Sequence, residues 1–167
     1  MSVDTGITSR TGTNDDRERI QALVFGVLEE YGLHGDADGT DRDLNDIEGN
    51  YTNRGGIFEV IEDSEGRLLG TIGLYPVDAE TVELRKMYFA RQLRGKGYGQ
   101  KTVAGAIAKA REMGFKKIYL ETASVLQAAI HIYEKFGFKP SGTKHTPRCD
   151  QPYVLILDDE SDESSQG

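Results

Sequence analysis

Gly95, Gly97 and Gly99 alternate with Lys96 and Tyr98 directly after Gln92-Leu93-Arg94. An extended run, Val82 to Phe89, precedes them and a helical run from about Gly99 follows, so they mark a strand-to-helix corner. Glycines lack Cβ atoms, take positive φ at little cost and let a ligand approach the main chain. The first turn of the helix adds N–H groups without acceptors and the positive end of the helix dipole. Such a corner suits a phosphate or pyrophosphate. One glycine would be an ordinary tight turn; three beside Arg94 and Lys96 point to an anion site. Two other phosphate loops do not fit. A dinucleotide fingerprint needs its third glycine where Gln100 stands, and a Walker A loop needs Gly-Lys-Thr, whereas Gln100 separates Gly99 from Lys101-Thr102.

Other residues of chemical interest are scattered. Asp36, Asp38, Asp41, Asp43 and Asp46 crowd the segment 35–50, but Gly39 falls at the fourth place after Asp36 and Ile47 at the twelfth, so no EF-hand results. A solvated loop with a short helix is expected there rather than a metal site. Cys149 is the single cysteine, which excludes an internal disulfide and fits a reducing cytoplasm. It is read as a structural or incidental thiol. His34, His131 and His145 are expected to be structural or exposed.

The 167 residues suit one domain with a real core, and 37% hydrophobic with 29% charged residues is the balance of a globular protein. No apolar run approaches the ~20 residues that span a bilayer. Met1 to Gly6 carries neither a basic segment nor an apolar core, so no export signal is expected. Net charge is −8, and residues 158–167 hold five acids and no base, so most of the excess is in the tail. That tail has nothing to bury and is expected to be disordered, leaving 1–157 as the domain. The basic footprint of a nucleic-acid binder is missing.

Pattern reading gives a short strand at Ile7–Thr11, then a helix starting at Asn14, with Ile20, Leu23, Val24, Val27 and Leu28 at helical spacing. Ile57–Ile61 and Arg67–Leu74 read as strands joined by Asp63-Ser64-Glu65-Gly66, and Val82–Phe89 completes an antiparallel meander. A helix from Gly99 to Met113, ended by Gly114, leads to a strand Lys117–Thr122 that can lie parallel to its predecessor. A helix Ser124–Phe136, stopped by Gly137, and a strand Tyr153–Leu157 close an α/β domain with a mixed sheet.

Gln92-x-Arg94-Gly95-x-Gly97 resembles the acyl-CoA-binding motif of the GNAT superfamily, the GCN5-related N-acetyltransferases. Glu83-Leu84-Arg85-Lys86-Met87-Tyr88-Phe89 looks like that family's central strand, and Ala129-Ile130-His131-Ile132-Tyr133-Glu134-Lys135-Phe136-Gly137-Phe138 is similar to its second signature. The element order matches from about residue 7 to residue 157. The resemblance implies the GNAT fold, a mostly antiparallel mixed sheet flanked by helices whose central strand splays from its neighbour to open a V-shaped cleft.

In that likeness the main chain of Met87, Tyr88 and Phe89 meets the pantetheine arm of acetyl-CoA. The amides of Arg94, Gly95, Lys96, Gly97, Tyr98, Gly99 and Gln100 meet the pyrophosphate, with charge from Arg94 and Lys96 as a possible addition. Tyr133 matches the tyrosine beside the CoA sulfur that protonates the leaving thiolate. Glu83 matches the general base of histone-acetylating members; Glu121 and a chain of waters are its rivals. The family's usual Asn seven residues before the tyrosine is Leu126 here, with Gln127 as the candidate substitute. The implied reaction is direct acetyl transfer from acetyl-CoA to a primary amine of a small molecule or peptide, with no metal and the oxyanion on a main-chain N–H such as that of Met87. A non-catalytic acyl-CoA-binding module is the alternative, and Leu126 leaves it room. The acids of 35–50 suggest a cationic acceptor, and a homodimer is possible because the family commonly forms one.

Overall fold

A computed structural model describes residues 6–142 and 148–157. The expectations for the N-terminal five residues, for His145 and for the acidic tail lie outside the described residues. Elements follow in the order β1 (Thr8–Thr11), α1 (Arg17–Glu30), α2 (Ile47–Asn50), β2 (Ile57–Glu62), β3 (Leu68–Pro76), β4 (Thr81–Phe89), α3 (Tyr98–Glu112), β5 (Lys117–Thr122), α4 (Gln127–Lys135), β6 (Lys139–Pro140) and β7 (Gln151–Ile156). Seven strands form one sheet, ordered β1-β2-β3-β4-β5-β7-β6. Only β4 and β5 run parallel, joined through α3; the other neighbours are antiparallel.

Each sheet face has its own cover. Val82 and Leu84 of β4, Ile118 and Leu120 of β5, and Ile72 and Leu74 of β3 point to one face. There they meet Val103, Ala106, Ile107 and Ala110 of α3, residues at the i, i+3, i+4, i+7 spacing of a helical stripe, together with Tyr133 and Phe138. Fully burying an Ile or Leu of this set contributes about 1.5–3 kcal/mol each. The opposite face carries Phe58 and Val60 of β2 against Ile20, Val24 and Leu28 of α1 and Leu44, Ile47 and Tyr51 of the 42–51 segment. That second cover reaches only the β1–β4 half of the sheet.

Some boundaries differ from the sequence reading. The N-cap at the first helical turn is Thr13, not Asn14: its hydroxyl accepts from Asp15 N–H and Asp16 closes a capping box, so a 3₁₀ turn at Asn14–Asp16 precedes α1. Asn14 is spent elsewhere, its Oδ1 accepting from Ile47 N–H at 2.7 Å. α4 starts three residues late because Leu126 N–H is already tied to Ala123 O. β7 starts at Gln151, and β6, two residues long, carries no pattern to read. The 35–50 segment is not simply solvated: Asp41 is fully buried and Asp43 nearly so.

Candidate active site

β4 and β5 pair only from Thr81/Lys117 to Glu83/Tyr119, although β4 continues to Phe89 and β5 to Thr122. Beyond Glu83 the two strands separate. On its other side β4 is irregular too, for its ladder with β3 jumps between Thr71↔Tyr88 and Gly73↔Arg85. The extra β4 residue makes a bulge in which Lys86 has φ +58°, the sole positive φ of a non-glycine among the described residues. Such a conformation persists only where its surroundings enforce it. Thr71 Oγ1 donates to Lys86 O at 2.7 Å, and the Lys86 ammonium is clasped 3.2 Å from Asp41 and 3.0 Å from Asp43.

The clasp extends further. Arg148 makes two hydrogen bonds to Asp41, at 2.8 and 2.9 Å, and a third to His34 O. Tyr51 donates its hydroxyl to Asp43, and Arg85 stands 4.0 Å from Asp43 while gripping Glu83 at 2.9 Å. Acids and bases thus alternate from Arg148 through Asp41, Lys86, Asp43 and Arg85 to Glu83, so the buried charges are compensated pairwise. Burial works to raise the Asp41 carboxyl, but the hydrogen bonds of Arg148 and the charge of Lys86 prevail and hold it below the ordinary carboxylate range. Sequence inspection missed Asp41, Asp43, Lys86 and Arg148 as a unit. Paired in this way, Asp41 and Asp43 offer no free negative charge to a cationic acceptor.

Where the strands part there is a cavity of about 40 Å³ lined by Met87 and Tyr88 of β4, Glu121 and Thr122 of β5, and Leu126 and Tyr133. Tyr133 is buried, its hydroxyl has no hydrogen-bond partner among the described residues, and burial pushes its pKa up, so it stays protonated at neutral pH. The Cys149 thiol borders the same cavity and is pushed up to about 11, chiefly by burial, so it is no nucleophile near neutrality. Leu126 contributes an apolar wall. Gln127 is exposed and bonded to Ser124 O, so it does not reach the cavity as a substitute for an asparagine. His131 is exposed on α4 and His34 is exposed in its loop.

The Gly-rich corner lies just past β4. Gly95 and Gly97 have φ of +76° and +88°, and a Cβ at either would meet open space, so the main chain is bare there. Gly97 caps α3 without any side-chain hydrogen bond. Among the described residues the N–H groups of Gly95, Lys96, Gly97, Gly99 and Gln100 have no main-chain acceptor, while that of Lys101 is taken by Gly97 O. Five neighbouring unpaired donors at the positive end of a 15-residue helix fit a diphosphate.

Two expectations change at this corner. Arg94 N–H is bonded to Arg91 O, and the Arg94 side chain turns inward, to Phe89 O at 2.9 Å and Glu30 at 2.7 Å. Arg94 therefore braces the corner, and Lys96 is exposed beside it. Gly99 serves packing as well: a Cβ there would lie 2.7 Å from Ile132 Cδ1, so its absence sets how closely α3 and α4 approach. Glu83 faces the sheet surface opposite α3, held by Arg85, whereas Glu121 borders both that surface and the Tyr133 cavity.

A splayed parallel pair, a bulge at the splay and a glycine corner leading α3 define a known architecture, and comparison decides its family. Residues 24–138 match the Acetyltransferase (GNAT) family. The chain belongs to the GNAT family. This GNAT protein is 39% identical over 132 residues to an uncharacterized N-acetyltransferase of Escherichia coli K12, YjgM, covering 76% of this chain and 78% of that one. A GNAT acetyltransferase of Staphylococcus aureus Mu50 superposes with a TM-score of 0.83 at 26% identity, over 90% of this chain and 99% of the other. A putative acetyltransferase of Salmonella typhimurium, yncA, solved with acetyl-CoA, superposes at 0.70 with 21% identity, over 91% and 94%. This GNAT protein is accordingly an acetyl-CoA-dependent N-acetyltransferase.

Proposed function

We propose that acetyl-CoA lies with its diphosphate on the N–H groups of residues 95–100, its pantetheine along Met87–Phe89, and its thioester at the cavity shared by Glu121 and Tyr133. The observation that carries this reading is continuity. The unpaired donors of the corner follow directly from the strand that leaves its partner, so one extended molecule can run from bare amides into the opening.

The acceptor must lose a proton before its nitrogen can attack. Glu121 is the proposed base, because it borders both the open sheet surface and the cavity; Glu83, assigned from the resemblance, stands on the open surface with its carboxylate held by Arg85. Nitrogen attack on the thioester carbonyl gives a tetrahedral oxyanion, for which Met87 N–H in the interrupted ladder is the proposed donor. Collapse expels the thiolate, and the protonated Tyr133 hydroxyl supplies its proton. Lys86, Asp41 and Asp43 keep the bulge in shape. Leu126 removes one polar partner from the cavity without touching these roles.

The test is product analysis with a panel of primary amines. Stoichiometric coenzyme A and acetylated amine are expected, with release strongly reduced in Tyr133→Phe. Tight coenzyme A binding with no acetylated product from any amine would instead leave the non-catalytic module.

A further inference from the structure

Among the described residues, the α1 side of the sheet is covered only over β1–β4. The uncovered half, on β4, β5 and β7, is a groove of about 730 Å³, the size of an ordinary small-molecule or peptide site. Its floor is set by register: Glu83 opposes Tyr119 across the parallel pair, and Tyr119 opposes Val154 across the antiparallel one. Glu121, at one end of β5, opens onto the Tyr133 cavity, whereas Lys117, at the other end, is exposed. Arg54 lines the same groove from the β3 side, stacked 4.4 Å over the Tyr75 ring with its guanidinium bonded to Pro76 O. Among the described residues neither Lys117 nor Arg54 has a carboxylate within ion-pair distance. The groove thus carries Glu121 at the reacting end and Lys117, with Asp78 acting on it, at the far end, while Arg85 is paired with Glu83 along the floor between them.

We propose that this groove receives the acceptor as a short extended peptide, its N-terminal amine toward Glu121 and its C-terminal carboxylate toward Lys117 and Arg54. The proposal rests on the transfer reading above. Four strand steps separate Glu121 from Lys117, about 13 Å. An extended chain of three residues spans about 10 Å, and the lysine side chain covers the rest. A free α-amino acid carries its two charges too close together to satisfy both ends. A polyamine would set positive charge against Lys117 and Arg54. The exposed Ile156 and Val77 at the cationic rim and the Tyr119 ring give small apolar side chains a surface to lie on.

The experiment compares acetylation of Ala-Ala-Ala, its C-terminal amide, alanine and spermidine. Ala-Ala-Ala is expected to exceed its amide by about tenfold in kcat/KM, the worth of one charge-assisted hydrogen bond. That ratio should fall to near one in the Lys117→Ala/Arg54→Ala variant, both sites being exposed. Equal rates on acid and amide, a preference for alanine or spermidine, or a ratio that survives in the double variant would overturn the proposal. So would a dimer on this face, shown by Ile156→Lys yielding a monomer with the ratio unchanged. Failure to acetylate any amine would strike the transfer reading instead. Calorimetry of Ala-Ala-Ala on the coenzyme A complex would then still decide the groove, binding lost in the double variant supporting it and no binding overturning it.

Discussion

The Asp41 carboxylate, fully buried, stands 3.2 Å from the ammonium of Lys86, a residue held at φ +58° in the middle of the central strand. This pair ties the segment after α1 to the bulge where β4 changes direction. Arg148 on the other side of Asp41 adds the segment before β7, so three remote stretches of chain meet at one carboxylate.

Asp41→Asn removes the charge that compensates Lys86 and Arg148 together. Leaving buried charge unpaired costs about 3–5 kcal/mol. A matching loss of unfolding free energy in denaturant titration is expected, together with a lower kcat; a change within about 0.5 kcal/mol would contradict the role.

The same carboxyl sets a pH dependence. Its pKa is depressed in the folded protein, so its contribution is fully present above the unfolded value near 3.9 and disappears as pH falls through the folded one. The melting temperature should drop below about pH 4, and Asp41→Asn should flatten that drop. Parallel pH profiles for the two proteins would show that the acid transition lies elsewhere.

Two glycines separate ligand effects from packing effects. Gly97→Ala puts a side chain at φ +88°, costing about 1–2 kcal/mol, and disturbs the donors at the head of α3, so coenzyme A affinity should fall by calorimetry. Gly99→Ala drives a Cβ to within 2.7 Å of Ile132 Cδ1. Ile132→Val deletes that methyl, so the double variant should regain stability while the Gly97 variant gains nothing from it.

Tyr133→Phe should lower kcat by roughly 10²-fold or more with little effect on the acetyl-CoA KM, as expected for loss of a general acid. Since burial raises the tyrosine pKa, ionisation of this group should produce no fall in wild-type rate up to about pH 10. An alkaline limb below pH 9 that vanishes in the variant would argue against the assignment.

The base is decided by comparing Glu121→Gln with Glu83→Gln. The larger loss of kcat/KM, and loss of the acid limb of its pH profile, is expected for Glu121. The reverse order would return the role to Glu83.

Local signals made the frame readable. The helical stripe Val103, Ile107, Ala110 and the glycines at 95–99 each act through neighbours in sequence, and both landed where spacing placed them. The GNAT fold followed from three such local motifs in order. The charge ladder was not readable, because its partners lie 43 residues apart for Asp43 and Lys86 and 107 apart for Asp41 and Arg148. Nothing in a run of aspartates tells which will be buried against a distant cation. The bulge was equally hidden, since positive φ is usually announced by glycine and here falls on a lysine. Arg94, read as a phosphate ligand, sits at the glycine corner, but its pairing with Glu30 depends on how α1 packs.

Amide hydrogen exchange with and without coenzyme A tests the central claim most directly, because it reads the proposed donors one by one. Slowed exchange at Gly95, Lys96, Gly97, Gly99 and Gln100, together with the β4 residues Met87 to Phe89, is the predicted result. Saturable binding that leaves these amides unprotected, or no binding by folded protein, would contradict it.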